Sequence, residues 1–326
     1  MKYLMNVKRV MFGVLAAGLL AGCSSENEEL PDADLNEIRF TSNISASVDE
    51  TRGAGVINKD YNQTLAFSMA RIDQSIADGT YPADYSASTA LNATRTGGAG
   101  YQNVTLAIKQ YYLTHTDYYK TKFVAWYPQE ELVGGAATFS IDGSTDIMLS
   151  DEVEGWKIDG NKFSDPDKGF TLRHKLTQIQ LSAYFTDIAA EASWGKMLSV
   201  SIKEQYPTCR IKLPATVTFE GTPANLPLVS KKVSDNTPIV YPLTLSLQEA
   251  AQTECGYAMI PSVGASGKIT LIVNTEKGGI KEIDLNAQGY GESMAYKVSL
   301  KFTAAEIVTQ AQIGEWIVGG GQIVEL

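Results

Sequence analysis

The sequence predicts an all-β protein built as two β-sandwich domains in tandem. Short runs of alternating apolar and polar residues recur along the chain, punctuated by Gly, Pro, Asn and Asp, with almost no helical period. The composition agrees: 16 Tyr, 28 Gly and many Val and Thr favour strands and turns. At 326 residues the chain suffices for one large domain or two of ordinary size. Many short strands joined by turns indicate sandwiches rather than an α/β sheet.

Residues 1–22 read as a targeting segment. Lys2, Lys8 and Arg9 form a positive start, and Val10 to Leu20 is an uncharged, mostly apolar run too short to span a bilayer. Leu20-Ala21-Gly22-Cys23 matches the bacterial lipobox, so Cys23 is the expected acylated N-terminus of a lipoprotein. Residues 23–36 are polar and acidic and read as a solvated tether.

The first strand spans 37–48. Ile38, Phe40, Ile44, Ala46 and Val48 share one parity, with Ser42 the polar exception. Arg39, Thr41, Asn43, Ser45 and Ser47 take the other, which predicts one buried face. The strand stops at Asp49-Glu50-Thr51-Arg52 and the loop Gly53-Ala54-Gly55. An Arg in such a loop is a good protease site, and a plain surface loop has the same composition.

Further strands are expected at Leu65–Ile72, Val104–Ile108, Lys122–Pro128, Ala137–Gly143 and Asp146–Ser150, with long loops from Gln74 to Gly100. The polar stretch Trp156–Gly169 contains the turn cluster Asp165-Pro166-Asp167-Lys168-Gly169 and marks the expected boundary. The first domain is therefore 37–169 and the second 170–326. The second opens with Phe170–Leu176 and Thr177–Phe185; Ala189 to Lys196 has room for one or two helical turns. Strands at Leu198–Lys203, Thr216–Phe219, Tyr241–Leu247, Gly256–Ile260, Lys268–Asn274, Ile280–Leu285 and Tyr296–Phe302 follow, and Thr303–Gln312 has helix-compatible composition.

The net charge is −10, and losing the three positive charges of 1–22 leaves −13 on 23–326, which argues against nucleic acid as a partner. Cys209 and Cys255 sit in strand-like stretches; a disulfide and two buried thiols are both compatible with them. No catalytic, cofactor or metal site is expected. Neither His115 nor His174 has a neighbouring ligand at zinc spacing, and the Asp165 turn has Leu176 where an EF-hand loop needs Glu. His174 reads as structural. Tyr111-Tyr112 and Tyr118-Tyr119 suit an aromatic platform or, preferably, strand residues facing a core.

Taken together, the chain resembles the fimbrillin family, the type V pilins of anaerobic Gram-negative bacteria. The resemblance rests on the lipobox ending at Cys23, Ile38-Arg39-Phe40-Thr41 followed by Thr51-Arg52, Phe123-Val124-Ala125-Trp126-Tyr127-Pro128, and Asp146-Ile147-Met148-Leu149. Phe170 to Leu176, Tyr296 to Leu300 and Ile313-Gly314-Glu315-Trp316 complete it. It implies two transthyretin-like sandwiches and an outer-membrane lipoprotein exposed at the cell surface. It further implies that an Arg-specific protease cuts between Arg52 and Gly53, removing the first strand. The emptied groove then takes a strand from another fimbrial subunit, of the same or a different kind. By this analogy the donor segment is 306–326, with Trp316, Ile317, Val318, Ile323, Val324 and Leu326 as its apolar residues. The competing role for that segment is to complete its own domain. The protein is thus expected to be a fimbrial structural subunit. The alternative is a tip, anchor or monomeric surface lipoprotein that binds a host or glycan ligand.

Overall fold

The computed structural model of the chain describes residues 36–45, 57, 59–114, 117–165, 168–233, 235–261, 268–285 and 292–314. The signal segment 1–22, Cys23, Ala46, Val48, Arg52, Gly53, His115, and 315–326 with its Trp316, Ile317, Val318, Ile323, Val324 and Leu326 lie outside the described residues.

The first half contributes β1 (Phe40–Ile44), β2 (Leu65–Asp73), β3 (Leu91–Arg95), β4 (Gln102–Leu106), β5 (Thr121–Tyr127), β6 (Ala136–Ser140), β7 (Met148–Ser150), β8 (Val153–Gly155) and β9 (Phe170–His174). All except β6 belong to one sheet, ordered β2-β3-β4-β1-β9-β7-β5-β8, and β2 also pairs with β5. That extra pairing, Ser68–Asp73 against Thr121–Trp126, closes the sheet on itself. Seven of the strands, β2-β3-β4-β1-β9-β7-β5, thus form a ring whose members are paired on both edges, and β8 is attached to β5 alone. The reason lies in β5, which is buried on both faces. Phe123 and Ala125 pack into the core enclosed by the ring, with Phe67, Met69, Met148 and Leu172. Val124 and Trp126 point the other way, into a second core shared with Ile211, Tyr257 and Met259 of the C-terminal half. A strand buried on both faces reads as a continuous apolar run, as β5 does.

The second half contains β10 (Leu176–Phe185), helix α1 (Ile188–Trp194), β11 (Met197–Gln205), β12 (Thr208–Lys212), β13 (Thr216–Glu220), β14 (Ala224–Pro227), β15 (Thr253–Pro261), β16 (Ile269–Thr275), β17 (Gly279–Leu285), β18 (Ala295–Phe302) and β19 (Ile307–Gly314). Two four-stranded sheets, β15-β10-β18-β19 and β14-β11-β16-β17, face a common core. Ile179, Leu181, Ala183, Val298, Leu300 and Phe302 come from the first, and Val200, Ile202, Leu271 and Val273 from the second. Helix α1 starts where the Asp187 carboxylate accepts a hydrogen bond from the Ala190 N–H at 2.8 Å, and stops at Gly195, whose φ is 67°.

Sheet membership changes at Lys175: β9 hydrogen-bonds to β1 and β7 in the first half, and β10 begins the second. The stretch before it is no linker, because Phe163 is fully buried in the ring core. The halves also share a sheet, since β6 pairs along its length with β12, which pairs with β13.

Other expectations are corrected. The region taken as loop contains β3, whose sparse apolar content (Leu91, Ala93) hides it. Residues 303–312 form no helix; Ile307 to Gly314 pairs with β18 from Phe302 back to Ala295. Its β-branched Ile307, Val308 and Thr309 suit that edge, and tertiary pairing overrides a weak helical preference. Tyr241 to Leu247 makes only isolated bridges, at Leu243 and Ser246. Cys209 and Cys255 are free, buried thiols in different core clusters, so no bridge joins them. Burial pushes both up to about 12, which keeps them protonated at neutral pH. His174 is buried, with Nδ1 2.5 Å from Asp146 Oδ2.

Candidate functional site

Strand β1 holds the middle of the stretch that the resemblance leads one to expect as removable, and it is a member of the ring. It lies antiparallel to β4, with Phe40, Thr41 and Ser42 opposite Val104, Asn103 and Gln102. On its other edge it runs parallel to β9, with Ser42, Asn43 and Ile44 opposite Phe170, Thr171 and Leu172. Beyond the strand the pairing continues: Ile38 N–H donates to Gln110 O, Tyr112 N–H to Asn36 O, and Ser45 N–H to Leu172 O, all between 2.8 and 2.9 Å. Without β1, both β4 and β9 would present unpaired backbone to solvent, an open template for another strand.

The inner face of β1 is fully engaged. Ile38, Phe40, Ser42 and Ile44 are each at most 3% exposed, whereas Arg39 points outward. Phe40 sits among three rings, with centroids 4.8 Å from Phe123, 5.0 Å from Phe163 and 5.2 Å from Phe170. The Phe123 contact is edge-on, a favoured aromatic geometry. Tyr112 closes the cluster: its ring stacks on Phe163 at 6.0 Å and its hydroxyl accepts the Phe163 N–H at 2.9 Å. Burial pushes the Tyr112 hydroxyl up to about 12.

The polar exception in the alternation has its own place. Ser42 is fully buried, and its Oγ has no hydrogen-bond partner among the described residues. Its carbonyl is what matters, because it accepts from Arg95 Nε at 3.1 Å. Arg95 is itself fully buried, and three more of its donors go to Thr96 O at 3.1 Å, Gly98 O at 2.6 Å and Gly100 O at 2.8 Å. Burial pulls its guanidinium below the ordinary arginine value. From the same loop, Tyr101 reaches across β1 to Thr171 of β9, the two hydroxyls 3.3 Å apart. Gly169 leaves the room for that crossing, since a Cβ there would lie 2.5 Å from the Tyr101 ring and 2.7 Å from Thr41 Oγ1.

The structure therefore brings Ile38, Phe40 and Ile44 of the expected strand together, and the strand ends at Ile44. Sequence reading missed Arg95, Tyr101 and Phe163, whereas Tyr112 faces a core as preferred. For Arg95 a signal existed: it shares parity with buried Ala93, so it faces inward. Tyr112 belongs to the groove, so Tyr111-Tyr112 forms no exposed platform; Tyr111 and Tyr118 are exposed, and Tyr119 donates to Ile76 O at 2.7 Å. The first part of the expected donor segment, Ile307–Gly314, is paired to its own β18 and forms the edge of its own sheet. Among the described residues no group of three His, Cys, Asp or Glu side chains is placed to hold a metal ion.

Comparison with known proteins gives a consistent picture. A family model described as fimbrillin-like matches residues 69–316. Among solved structures, a candidate cell adhesion protein from Bacteroides uniformis ATCC 8492 superposes with a TM-score of 0.56 at 16% identity, covering 86% of this chain and 98% of its own. A second, from Bacteroides ovatus ATCC 8483, gives 0.51 at 14% identity, covering 87% and 99%. At such identities these likenesses speak for the fold. A search of curated proteins finds no match.

Proposed function

This chain belongs to the fimbrillin-like family, and from that premise we propose that it is a structural subunit of a cell-surface fimbria that polymerises by strand replacement. It is exported as a lipoprotein and held in the outer membrane by acylated Cys23. An Arg-specific surface protease cuts between Arg52 and Gly53, and the acyl chain leaves with the first strand. A strand from another subunit then fills the groove, and the segment from Trp316 to Leu326 is the donor. The edge position of β19, the element that precedes this segment in sequence, suits this. The division into two transthyretin-like units belongs to the same reading. The change of sheet membership at Lys175 supports it, with β6, β12 and β13 joining the two halves.

The observation that carries the proposal is that one strand, nearest the N-terminus, closes a ring. It pairs on both edges and buries Phe40 in an aromatic pocket. Charge points the same way: residues 23–52 carry eight acids and two arginines, so their loss takes 23–326 from −13 to −7 and eases packing of like subunits. The complete pairing of β1 also suits a chain that keeps its strand, which is the tip, anchor or ligand-binding lipoprotein alternative.

Replacing Arg52→Ala in the producing cell distinguishes them. Fibre assembly should be lost and the full-length acylated chain should accumulate at the surface. Intact fibres from that variant would rule out cleavage at this bond.

A further inference from the structure

The β3–β4 loop does something for the groove that side-chain burial alone does not. Arg95 is a buried cation whose recorded acceptors are backbone carbonyls, three from its own loop and one from β1. A buried guanidinium donor left unpaired is costly, and the Nε donor meets its acceptor only when a strand lies beside it. The same four bonds tie the loop carbonyls of Thr96, Gly98 and Gly100 to that strand. The loop is also held from below, with Gly98 N–H donating to Tyr61 O and Thr96 N–H to Asn103 O. It ends at Tyr101, whose side chain passes over Thr41 and Gly169 to Thr171 on the far side of β1. One loop thus grips β1 twice, at the Ser42 carbonyl and across its outer face.

We infer that Arg95 and Tyr101 form a clasp for whichever polypeptide strand occupies the slot between β4 and β9. Arg95 binds a main-chain carbonyl, which every strand offers, so this part of the grip is independent of sequence. Selectivity comes from the inner face, where the resident strand reads Phe40-x-Ser42-x-Ile44: a large apolar residue, a small one at the level of Arg95, then another apolar one. The occupant is accordingly an extended segment with that apolar, small, apolar spacing, held by a charge-assisted bond to its backbone. The clasp slows the departure of any strand. Its bearing on assembly rests on the strand-replacement reading; its existence in the uncut chain does not.

The test is amide hydrogen exchange on the intact full chain. Arg95→Met should accelerate exchange in β1 and in 96–101 by on the order of tenfold, the loss of one charge-assisted hydrogen bond, with β10 and β18 unchanged. Arg95→Lys, which keeps one charged donor, should fall between. Tyr101→Ala, at a half-exposed position that the fold tolerates, should accelerate β1 exchange without touching the core and carries the test if Arg95→Met does not fold. Wild-type β1 rates in Arg95→Lys and Tyr101→Ala, or equal acceleration throughout the ring, overturn the clasp. A second arm uses a full chain nicked at an engineered site within 46–56. Labelled 36–45 peptide and its Phe40→Leu form should both leave faster, by the same factor, from Arg95→Met than from the unsubstituted chain. If the unsubstituted nicked chain never releases or takes up peptide while the exchange result holds, strand replacement fails and the clasp stands.

Discussion

A chain cut between β1 and β2 and stripped of its first strand is expected to lose its monomeric native state. The loss is large because three terms coincide. Ile38, Phe40 and Ile44 return to water, at about 1.5–3 kcal/mol for each side chain. The facing edges of β4 and β9 lose their pairing together. The Arg95 guanidinium loses the Ser42 carbonyl. The apolar term alone reaches about 4.5–9 kcal/mol, comparable with the whole stability of many proteins, about 5–15 kcal/mol. Gel filtration should show association, and the melting midpoint should drop sharply. Added 36–45 peptide should restore both. A stripped chain that stays monomeric with an unchanged midpoint would mean that β1 is an accessory.

Phe40→Ala should produce the largest loss of any single substitution in β1. The side chain is 2% exposed and contacts three rings that have no other way to fill the gap. Removing a buried Phe costs about 3–5 kcal/mol. For a unit of this size the midpoint falls by roughly 10 °C. Thr41→Ala, one residue on and facing outward, should stay within about 0.5 kcal/mol. Thermal melts of both variants check the pair, and equal effects would contradict the inward and outward assignment. In the nicked chain Phe40→Ala should also hasten the strand's departure, which links the packing term to exchange.

The features that sequence exposes here follow one rule: an element is legible when its own residues carry the pattern. β1 is legible because one face meets the core and the other meets water, giving an alternation that only Ser42 breaks. β5 is legible for the opposite reason, since both faces are buried. β3 escaped because Leu91 and Ala93 are its only apolar residues and an inward Arg95 looks like a surface charge. Phe163 escaped because it stands alone among the polar residues from Asp159 to Gly169, and what it packs against comes from distant elements. Closure of the ring is likewise invisible in any local window: β1 meets β9 in parallel across more than a hundred residues of chain, and β2 meets β5. β19 shows how composition misleads at an edge, where pairing with β18 decides the conformation.

The groove also gives the polar residue of the first strand a physical role. Ser42 interrupts the apolar series at the level where Arg95 binds the strand's carbonyl. A tight plug would use another apolar residue there. Arg95 instead holds the strand through its backbone, which suits a slot whose occupant changes.

The central claim is that the first strand leaves, and the most direct measurement is the N-terminus of the protein extracted from assembled surface fibres. Intact mass and terminal sequencing should find a chain that begins at Gly53, without lipid and without β1. A chain in those fibres that begins at acylated Cys23 would contradict the account, since its ring would still be closed by its own strand.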